Sequence, residues 1–371
     1  MLTQDKGGPV DVTVALAHAL AARPGYTVRL FGPEPARGAD LVAGLLEPTL
    51  VEGKGAAGAI RAARKRVLAW HPDVVHAQDR RSGLVCAGLG LRRSPSGRRR
   101  SVVHTYHGVP DDVSQTWLEH GTGAGPSAYT RTVLAADAVV ARTVDRTIVV
   151  APPLRRFLVE RLHVPAGRVV HIDNGLVLPA AAPPTGPIRR LLFVGLLVER
   201  KGVHLLLDAL DLASRQGLPD DVTLTVAGEG PQRGALERQA AALGLSGRVT
   251  FLGFRTDVPA LLGQADAFVL PSSMEQQPLV LIEALGAGLP TLATDVGGVA
   301  DLVGDVGIVV APDDRAVLAD GLVRLTALDG AAVGAAAARR ARQRFSLDHC
   351  VQAHLDLYAQ LQRWRPLDPA G

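Results

Sequence analysis

The sequence predicts an α/β protein made of two doubly wound, Rossmann-like domains, each a parallel sheet with helices on both faces. Short apolar runs alternate with longer helical stretches along the chain, which is the pattern of strand–helix–strand units. The length of 371 residues corresponds to about two domains. A proline-rich segment near the middle divides the alternation into two halves. Because ligands of such sheets bind beyond the carboxyl ends of the strands, we expect the domains to face each other across a binding cleft.

The first predicted domain covers residues 1–178. Its strands are predicted at 27–31, 73–76, 101–106, 147–151 and 168–172, with helices at 10–22, 60–70 and 153–162. The strand before them is short or missing, because only Met1, Leu2 and Thr3 precede the turn that contains Gly7 and Gly8. We expect the native chain to start upstream of Met1, and a very short first strand is the alternative.

The linker is predicted at 179–188, where four prolines and a glycine exclude a helix or a central strand. The alternation restarts in a second predicted domain, residues 189–345. Its strands are predicted at 190–194, 222–227, 248–252, 267–270, 290–293 and 308–310. Ser346 is the predicted N-cap of a final helix at 347–362, so residues 346–371 form a C-terminal helix and tail.

The composition excludes several classes of protein. Apolar residues make up 47% and charged residues 20% of the chain, which excludes a disordered tail, a collagen-like fibre and a disulfide scaffold. No window approaches the roughly 18 uninterrupted apolar residues of a membrane span, and residues 1–8 lack the apolar core of a signal peptide. Cys86 and Cys350 are too few for a metal cluster or a disulfide framework. We expect both thiols to be buried. We also expect the protein to be cytoplasmic.

Positive charge is concentrated in the first half of the chain. The net charge is +4, but residues 1–180 contain 23 Lys and Arg against 15 Asp and Glu. Arginines cluster at 92–93 and 98–100, around a Ser-Pro-Ser-Gly loop. One interpretation is a solvated loop, and the other is attraction to an anionic acceptor or to the inner face of a membrane. Nucleic acid is not expected as a partner, because few aromatic residues accompany the arginines.

The strongest motif spans residues 270–283 and reads LPSSMEQQPLVLIE. A strand is predicted to end at Leu270, and Pro278 suits the first position of the helix that follows. Glu275 lies in the loop, and Glu283 lies in the first turns of that helix. Carboxylates beside the free N–H groups of a helix start can bind a polyhydroxylated or anionic ligand. Capping and solvent exposure of the two glutamates are the alternative for the motif taken alone.

Further segments place this motif in a family pattern. They are FVGLLVERKGVHLLLDAL at 193–210, VAGEGP at 226–231, VTFLGF at 249–254 and ATDVGG at 293–298. In order and spacing, they resemble glycosyltransferase family 4, the retaining enzymes with the GT-B fold. In the first half the resemblance is carried by Gly7, Gly8, HTYHG at 104–108 and IDNG at 172–175. It implies an acceptor domain, a nucleotide-sugar (donor) domain, and a C-terminal helix that crosses back to the first domain.

The resemblance implies an activity and three catalytic residues. The activity is transfer of a sugar from a nucleotide-sugar to an acceptor hydroxyl with retention of anomeric configuration. Lys201, before Gly202, is implied to bind the donor diphosphate, which suits a compact ammonium at a helix start. Glu275 is implied to hold hydroxyls of the donor sugar, and His107 to lie over the reacting sugar.

Other site residues are predicted with less specific signals. The remaining donor-binding candidates are Gly7, Gly8, Arg200, Gly228, Gly230, Phe254, Arg255, Gln276, Gln277, Pro278, Leu279, Val280 and Glu283. Glu283 is implied to bind the ribose of the nucleotide. His76 and Asp79, at the end of a predicted strand, are candidates to contact the acceptor. The acceptor is expected to be a small molecule, a glycan or a lipid-linked sugar.

The sequence departs from the family pattern in two places. Leu196 stands where the family usually has an arginine, and Gln276-Gln277 stand in place of Gly-Phe. Arg200 is a candidate to compensate for the first change. These departures motivate one alternative, a nucleotide-sugar binder with weakened catalysis. A nucleotide-sugar epimerase on the same fold is the other alternative. No Asp-x-Asp triplet occurs in the chain, so neither a metal ion nor another cofactor is expected.

Overall fold

The computed structural model describes residues 1–51, 57–91 and 99–363. The chain divides into two compact units. Unit 1 comprises Met1–Gly175 together with the C-terminal segment from Leu347, and unit 2 comprises Leu176–Ser346. Both contain parallel sheets with helices between the strands, which confirms the predicted α/β class. In the described ranges, no helix has the length and apolar character needed to cross a membrane.

Within its described residues, unit 1 contains six short parallel strands. They are β1 (Leu30–Gly32), β2 (Leu46–Pro48), β3 (Val74–Ala77), β4 (Ser101–Tyr106), β5 (Arg146–Val149) and β6 (Val169–His171). β1 pairs with β2, and the other four lie in the order β3-β4-β5-β6. The helices between them are α1 (Gly8–Ala21), α2 (Ala39–Val42), α3 (Ala57–Ala69), α4 (Arg80–Cys86), α5 (Gln115–His120), α6 (Ala128–Thr143) and α7 (Pro152–Arg156). A π-helical turn, Phe157–Arg161, continues α7.

Residues 1–3 connect the two sheets of unit 1. The Leu2 N–H donates to the Phe31 carbonyl at 2.9 Å, and the Gln78 N–H donates to the Met1 carbonyl at 3.0 Å. These residues therefore take a strand position between β1 and β3. A cavity of about 770 Å³ lies beside them and is bordered by residues 27–29. The predicted strand 27–31 begins only at Leu30, where pairing with Leu46 of β2 starts.

Unit 2 contains one six-stranded parallel sheet. Its strands are β7 (Arg190–Val194), β8 (Thr223–Ala227), β9 (Val249–Gly253), β10 (Ala267–Leu270), β11 (Thr291–Thr294) and β12 (Ile308–Val310). Its helices are α8 (Val203–Ser214), α9 (Arg233–Ala242), α10 (Val258–Gln264), α11 (Leu279–Ala287), α12 (Val299–Val303), α13 (Arg315–Thr326) and α14 (Gly330–Phe345). The strand order is β12-β11-β10-β7-β8-β9. The chain adds β8 and β9 on one side of β7, then returns and adds β10, β11 and β12 on its other side. β7 and β10 are consequently neighbours at the centre.

The proline-rich segment lies against unit 2. The Ala182 N–H donates to the Ala287 carbonyl at 2.8 Å, at the end of α11. Pro183 lies beside Gly288 and Gly334, and Pro184 lies beside Gly330. The segment is thus an extended strap that packs on the first turns of α14 and the end of α11.

The last helix, α15 (Leu347–Arg363), belongs to unit 1. Its Val351 and Leu355 pack against Leu16 and Leu20 of α1. Cys350, Leu357 and Leu361 pack against apolar residues of β4 and β5. This packing confirms that the C-terminal helix returns to the first domain. Cys350 and Cys86 are both free and buried, as predicted.

Several predicted elements match the structure closely. The strands at 101–106, 190–194, 267–270 and 308–310 have the predicted bounds. One helix start is wrong by one residue, because Pro278 is the N-cap of α11 and the helix begins at Leu279. β2 was not predicted, since a three-residue strand that ends in proline gives almost no periodic signal.

Candidate functional site

The centre of the sheet in unit 2 marks the candidate site. β7 and β10 are adjacent and parallel, with Ala267 opposite Leu191. The chain leaves β7 toward β8 and leaves β10 toward β11, and these two directions along the sheet are opposite. In open α/β sheets this switch point opens a crevice beyond the carboxyl ends of the two strands. The turn after β7 and the loop after β10 lie on the two sides of this position, and we call them the two walls of the candidate site.

A buried ion pair joins these two walls. Lys201 ends the short helical turn Glu199–Lys201 after β7, and its Nζ donates to Oε1 of Glu275 at 2.5 Å. The Ser272 hydroxyl donates to the same carboxylate oxygen at 2.9 Å. Only 13% of the Lys201 side chain and 8% of the Glu275 side chain are exposed. The structure thus brings together two of the three predicted catalytic residues.

Close backbone contacts hold the two walls in place. Gly228 follows β8 with φ +152°, and a Cβ on it would lie 1.8 Å from the Gly195 carbonyl oxygen. Gly297 follows β11 with φ +56°, and a Cβ there would lie 1.9 Å from the Glu275 carbonyl oxygen. Only glycine fits where backbones approach so closely. The loop after β8 therefore contacts the turn after β7, and the loop after β11 contacts the loop after β10. These contacts set the positions of the turn after β7 and the loop after β10.

The start of α11 carries the rest of the loop motif. Gln277 and Pro278 are buried, and Leu279 and Val280 are half-buried at the first turn. Glu283 is half-buried one turn further along. The Gln276 carbonyl accepts from the Gly298 N–H at 2.8 Å. Both amide atoms of the Gln276 side chain are buried, and neither has a hydrogen-bond partner among the described residues.

Other predicted donor-binding residues lie in the turns that follow β7, β8 and β9. Gly230 packs its backbone against that of Leu197. Arg200 is exposed, and its carbonyl accepts from the Ser273 N–H at 2.8 Å. Phe254 is 63% exposed directly after β9, whereas Arg255 forms an exposed ion pair with Asp257 at 2.6 Å. Leu196 is 55% exposed, so the position that lacks the family's arginine faces solvent.

In unit 1, the third predicted catalytic residue follows the fully buried strand β4. The His107 ring hydrogen bonds to the backbone of Gln78, and its Nε2 is buried with no partner in the described part of the chain. Burial lowers the pKa of His107 to about 4, so the imidazole is neutral near pH 7. Gly7, with φ +104°, is the N-cap of α1, and Gly8 is its first residue.

The two predicted acceptor residues have partners inside unit 1. His76 hydrogen bonds through Nδ1 to the Tyr358 hydroxyl at 2.6 Å and through Nε2 to the Thr105 hydroxyl at 2.7 Å. Asp79 accepts from the Thr3 hydroxyl at 2.8 Å and caps α4 by accepting from the Ser82 N–H at 2.7 Å. These contacts give both side chains structural roles, and contact with the acceptor stays a prediction that they do not favour.

The basic segment is only partly described. Arg92, Arg93 and Arg98 lie outside the described residues. Arg99 pairs with Asp145 at 3.1 Å, and Arg100 is buried. Attraction to an anionic partner therefore stays a prediction.

Three features have no counterpart in the sequence predictions. They are Ser272, Gly297 and the network behind His107, in which Arg80 bonds to Asp137 and to the Gly108 carbonyl. Ser272 and Gly297 lie in the motifs LPSSMEQQ and ATDVGG, where small residues give little signal of their own. The network behind His107 joins side chains of different elements and gives no local signal.

Comparison with known proteins covers both units. The family model described as "Glycosyltransferase Family 4" matches residues 6–178, and the one described as "Glycosyl transferases group 1" matches residues 188–327. A glycogen synthase of Mycobacterium tuberculosis is 33% identical over 288 residues, which are 75% of this chain and 66% of that protein. A D-inositol 3-phosphate glycosyltransferase of Salinispora arenicola is 31% identical over 82% of this chain and 72% of its own length.

Solved structures match along nearly the whole chain. HepE of Anabaena in complex with UDP superposes with a TM-score of 0.77 at 20% identity, covering 96% of this chain and 98% of its own. Sucrose-phosphate synthase from Thermosynechococcus elongatus gives a TM-score of 0.71 at 22% identity, covering 97% and 94%. These likenesses confirm the predicted GT-B fold class.

The glycine contact in unit 2 gives a testable expectation for stability. Gly228→Ala places a methyl group against the Gly195 carbonyl in a backbone conformation that alanine rarely adopts, and should lower the Tm by about 5 °C or more. The matched control is Gly234→Ala in α9, where a Cβ meets only the flexible end of Arg238. It should raise the Tm by about 2 °C through helix propensity. Equal Tm values in thermal denaturation would contradict the close-contact account.

Buried histidines in unit 1 give an expectation for pH. Burial lowers the pKa of His104, His107 and His354 to about 4, against 6.5 in the unfolded chain. The unfolded chain therefore binds protons between pH 6.5 and 4 that the folded chain does not, and stability is lost as pH falls through this window. We expect the Tm to fall by roughly 5–10 °C from pH 7 to pH 5.

A pair of variants isolates this contribution. His354→Gln removes one buried titrating ring and should flatten the dependence of Tm on pH. His120→Gln, at an exposed position, should leave it unchanged. A Tm that stays constant from pH 7 to pH 5 in the unmodified chain would refute the assignment.

Proposed function

Because the chain belongs to glycosyltransferase family 4, we propose that it transfers a sugar from a nucleoside-diphosphate sugar to a hydroxyl group of an acceptor. The observation that carries the proposal is the buried ion pair between Lys201 and Glu275 at the switch point of unit 2. The relatives named above support it, as do HepE structures with UDP and with UDP-glucose.

Lys201 is proposed to bind the diphosphate of the donor. Its ammonium lies directly before α8, whose first N–H groups also favour an anion. An ammonium has three N–H donors, so one nitrogen can bind Glu275 and phosphate oxygens at the same time. As the bond to the sugar breaks, charge develops on the diphosphate, and this fixed cation stabilises it.

Glu275 is proposed to hold hydroxyl groups of the donor sugar. A carboxylate accepts hydrogen bonds from two neighbouring hydroxyls, and such bonds to a charged group are strong. Lys201 and Ser272 fix its oxygen Oε1, so the carboxylate is oriented before the sugar arrives. Glu283 and the first N–H groups of α11 are proposed to contact the rest of the nucleotide-sugar.

The transfer is proposed to proceed with retention and without a metal ion. The bond from the anomeric carbon to the diphosphate oxygen breaks, and the acceptor oxygen bonds to the same face of that carbon. The acceptor proton passes to the departing diphosphate oxygen, which balances the charges. The chain then has to supply position and charge stabilisation, through Lys201, Glu275 and α11. Neutral His107 is proposed to hydrogen bond to the sugar through Nε2.

A second candidate function is nucleotide-sugar binding without efficient transfer. The exposed Leu196 favours it, because an apolar side chain there adds no positive charge for the diphosphate. Calorimetry separates the two candidates. Donor binding with no product from a broad acceptor panel supports the binder, whereas glycosylated product supports the transferase.

The ion pair makes the proposed function testable. Lys201→Met and Glu275→Gln should each reduce the rate of sugar transfer at least 100-fold, since one preorganised group is removed from the developing charge. Each single variant also leaves one buried charge without its partner and should lower the Tm. Transfer is measured with the nucleotide-sugar that gives the largest thermal shift on binding.

Controls separate catalysis from folding. The double variant Lys201→Met/Glu275→Gln removes both charges and should recover most of the Tm while remaining inactive. Lys65→Met and Glu237→Gln alter exposed residues of the same types and should transfer at the normal rate. Normal transfer by the double variant would refute the site.

A further inference from the structure

The turn that carries His107 is held from behind by a network in unit 1. Residues 107–110 follow β4 without forming a helix or strand. Nη2 of Arg80, the first residue of α4, donates to the Gly108 carbonyl at 2.9 Å. A guanidinium bond to a backbone carbonyl is charge-assisted, so it restrains the turn more strongly than a neutral hydrogen bond does.

Arg80 is itself fixed by a buried carboxylate. Its Nε lies 2.8 Å from Oδ2 and 3.1 Å from Oδ1 of Asp137, on α6, and only 2% of that side chain is exposed. The Tyr106 hydroxyl donates to Asp137 Oδ2 at 3.1 Å. Burial raises the pKa of Tyr106, so the phenol stays protonated and keeps donating. The Arg80 guanidinium carbon also lies 5.7 Å from the centre of the Tyr106 ring.

The two contacts of Arg80 depend on the planar shape of its guanidinium group. Nε faces Asp137 while Nη2 faces Gly108, and the planar guanidinium keeps the two directions fixed. The buried carboxylate therefore aims one specific N–H at the turn beside His107. If Arg80 served only to form an ion pair with Asp137, that contact would be sufficient. The additional bond to the Gly108 carbonyl would not be needed.

We propose that Arg80, aimed by Asp137 and Tyr106, is a positioning residue that sets the orientation of His107 through the Gly108 carbonyl. The consequence for catalysis rests on the proposed function of His107. The effect is on geometry in the reacting complex and not on donor affinity, because the proposed diphosphate-binding residue lies in unit 2.

Arg80→Lys tests the proposal. Lysine keeps the positive charge for Asp137 but cannot make both contacts in the fixed directions of a guanidinium. We expect kcat for transfer, or for hydrolysis of the donor, to fall at least tenfold, with KM for the donor within twofold of the unmodified value. Arg81→Gln is the matched control, since this neighbouring arginine donates to the Val51 carbonyl instead. An Arg80→Lys variant with unchanged kcat would overturn the proposal.

A second variant covers loss of folding. Arg80→Met/Asp137→Asn removes both charges, so no buried charge is left unpaired. It should keep most of the Tm and show the same fall in kcat. Full activity in this folded variant would equally overturn the proposal.

A spectroscopic measurement keeps the inference separate from the proposed function. The imidazole carbon resonances of His107 are assigned by their loss in His107→Gln. We expect them to shift in Arg80→Lys and to stay in place in Arg81→Gln. If the unmodified chain transfers no sugar, the proposed function fails and the shift alone decides the positioning role. Unshifted resonances in Arg80→Lys would refute that role.

Discussion

The buried ion pair between Lys201 and Glu275 is the constraint on which the organisation of unit 2 depends. Moving two charges out of water is costly, and only good geometry with further hydrogen bonds offsets that cost. Ser272 supplies one such bond to Glu275. The strand order provides the geometry, because it makes β7 and β10 neighbours and so brings together the turn and the loop that follow them. Glycines at 228 and 297 then let adjacent loops press against the turn and the loop that carry the pair.

In unit 1, unlike at the ion pair of unit 2, several buried polar side chains are neutral. Its histidines at 76, 104, 107 and 354 are buried as neutral rings, which costs less than burying an ion. Behind the turn of His107, unit 1 also contains a charged pair, Arg80 with Asp137. For the proposed transfer, a fixed charge in unit 2 and a neutral ring in unit 1 suit a reaction in which the leaving group carries the developing charge.

Local patterns predicted most of the fold, and the family resemblance predicted the two residues of the ion pair as separate site residues. Long-range contacts account for what was not predicted. The strand Ala267–Leu270 and the loop glutamate are both encoded in one apolar run followed by a polar turn. Lys201 was predicted through the family resemblance, because the family has a lysine before glycine at this turn. By contrast, Arg80 and Asp137 are 57 residues apart, and no spacing rule connects them. The roles of His76 and Asp79 depend on Tyr358 and Thr3, which only the folded chain brings near.

We propose that the ion pair at the switch point of unit 2 binds the donor. The decisive test is a crystal structure of the chain with the nucleotide-sugar that gives the largest thermal shift. We expect diphosphate oxygens within hydrogen-bond distance of Lys201 Nζ, and a sugar hydroxyl on the Glu275 carboxylate. A nucleotide-sugar bound elsewhere, with Lys201 and Glu275 touching only each other, would contradict it.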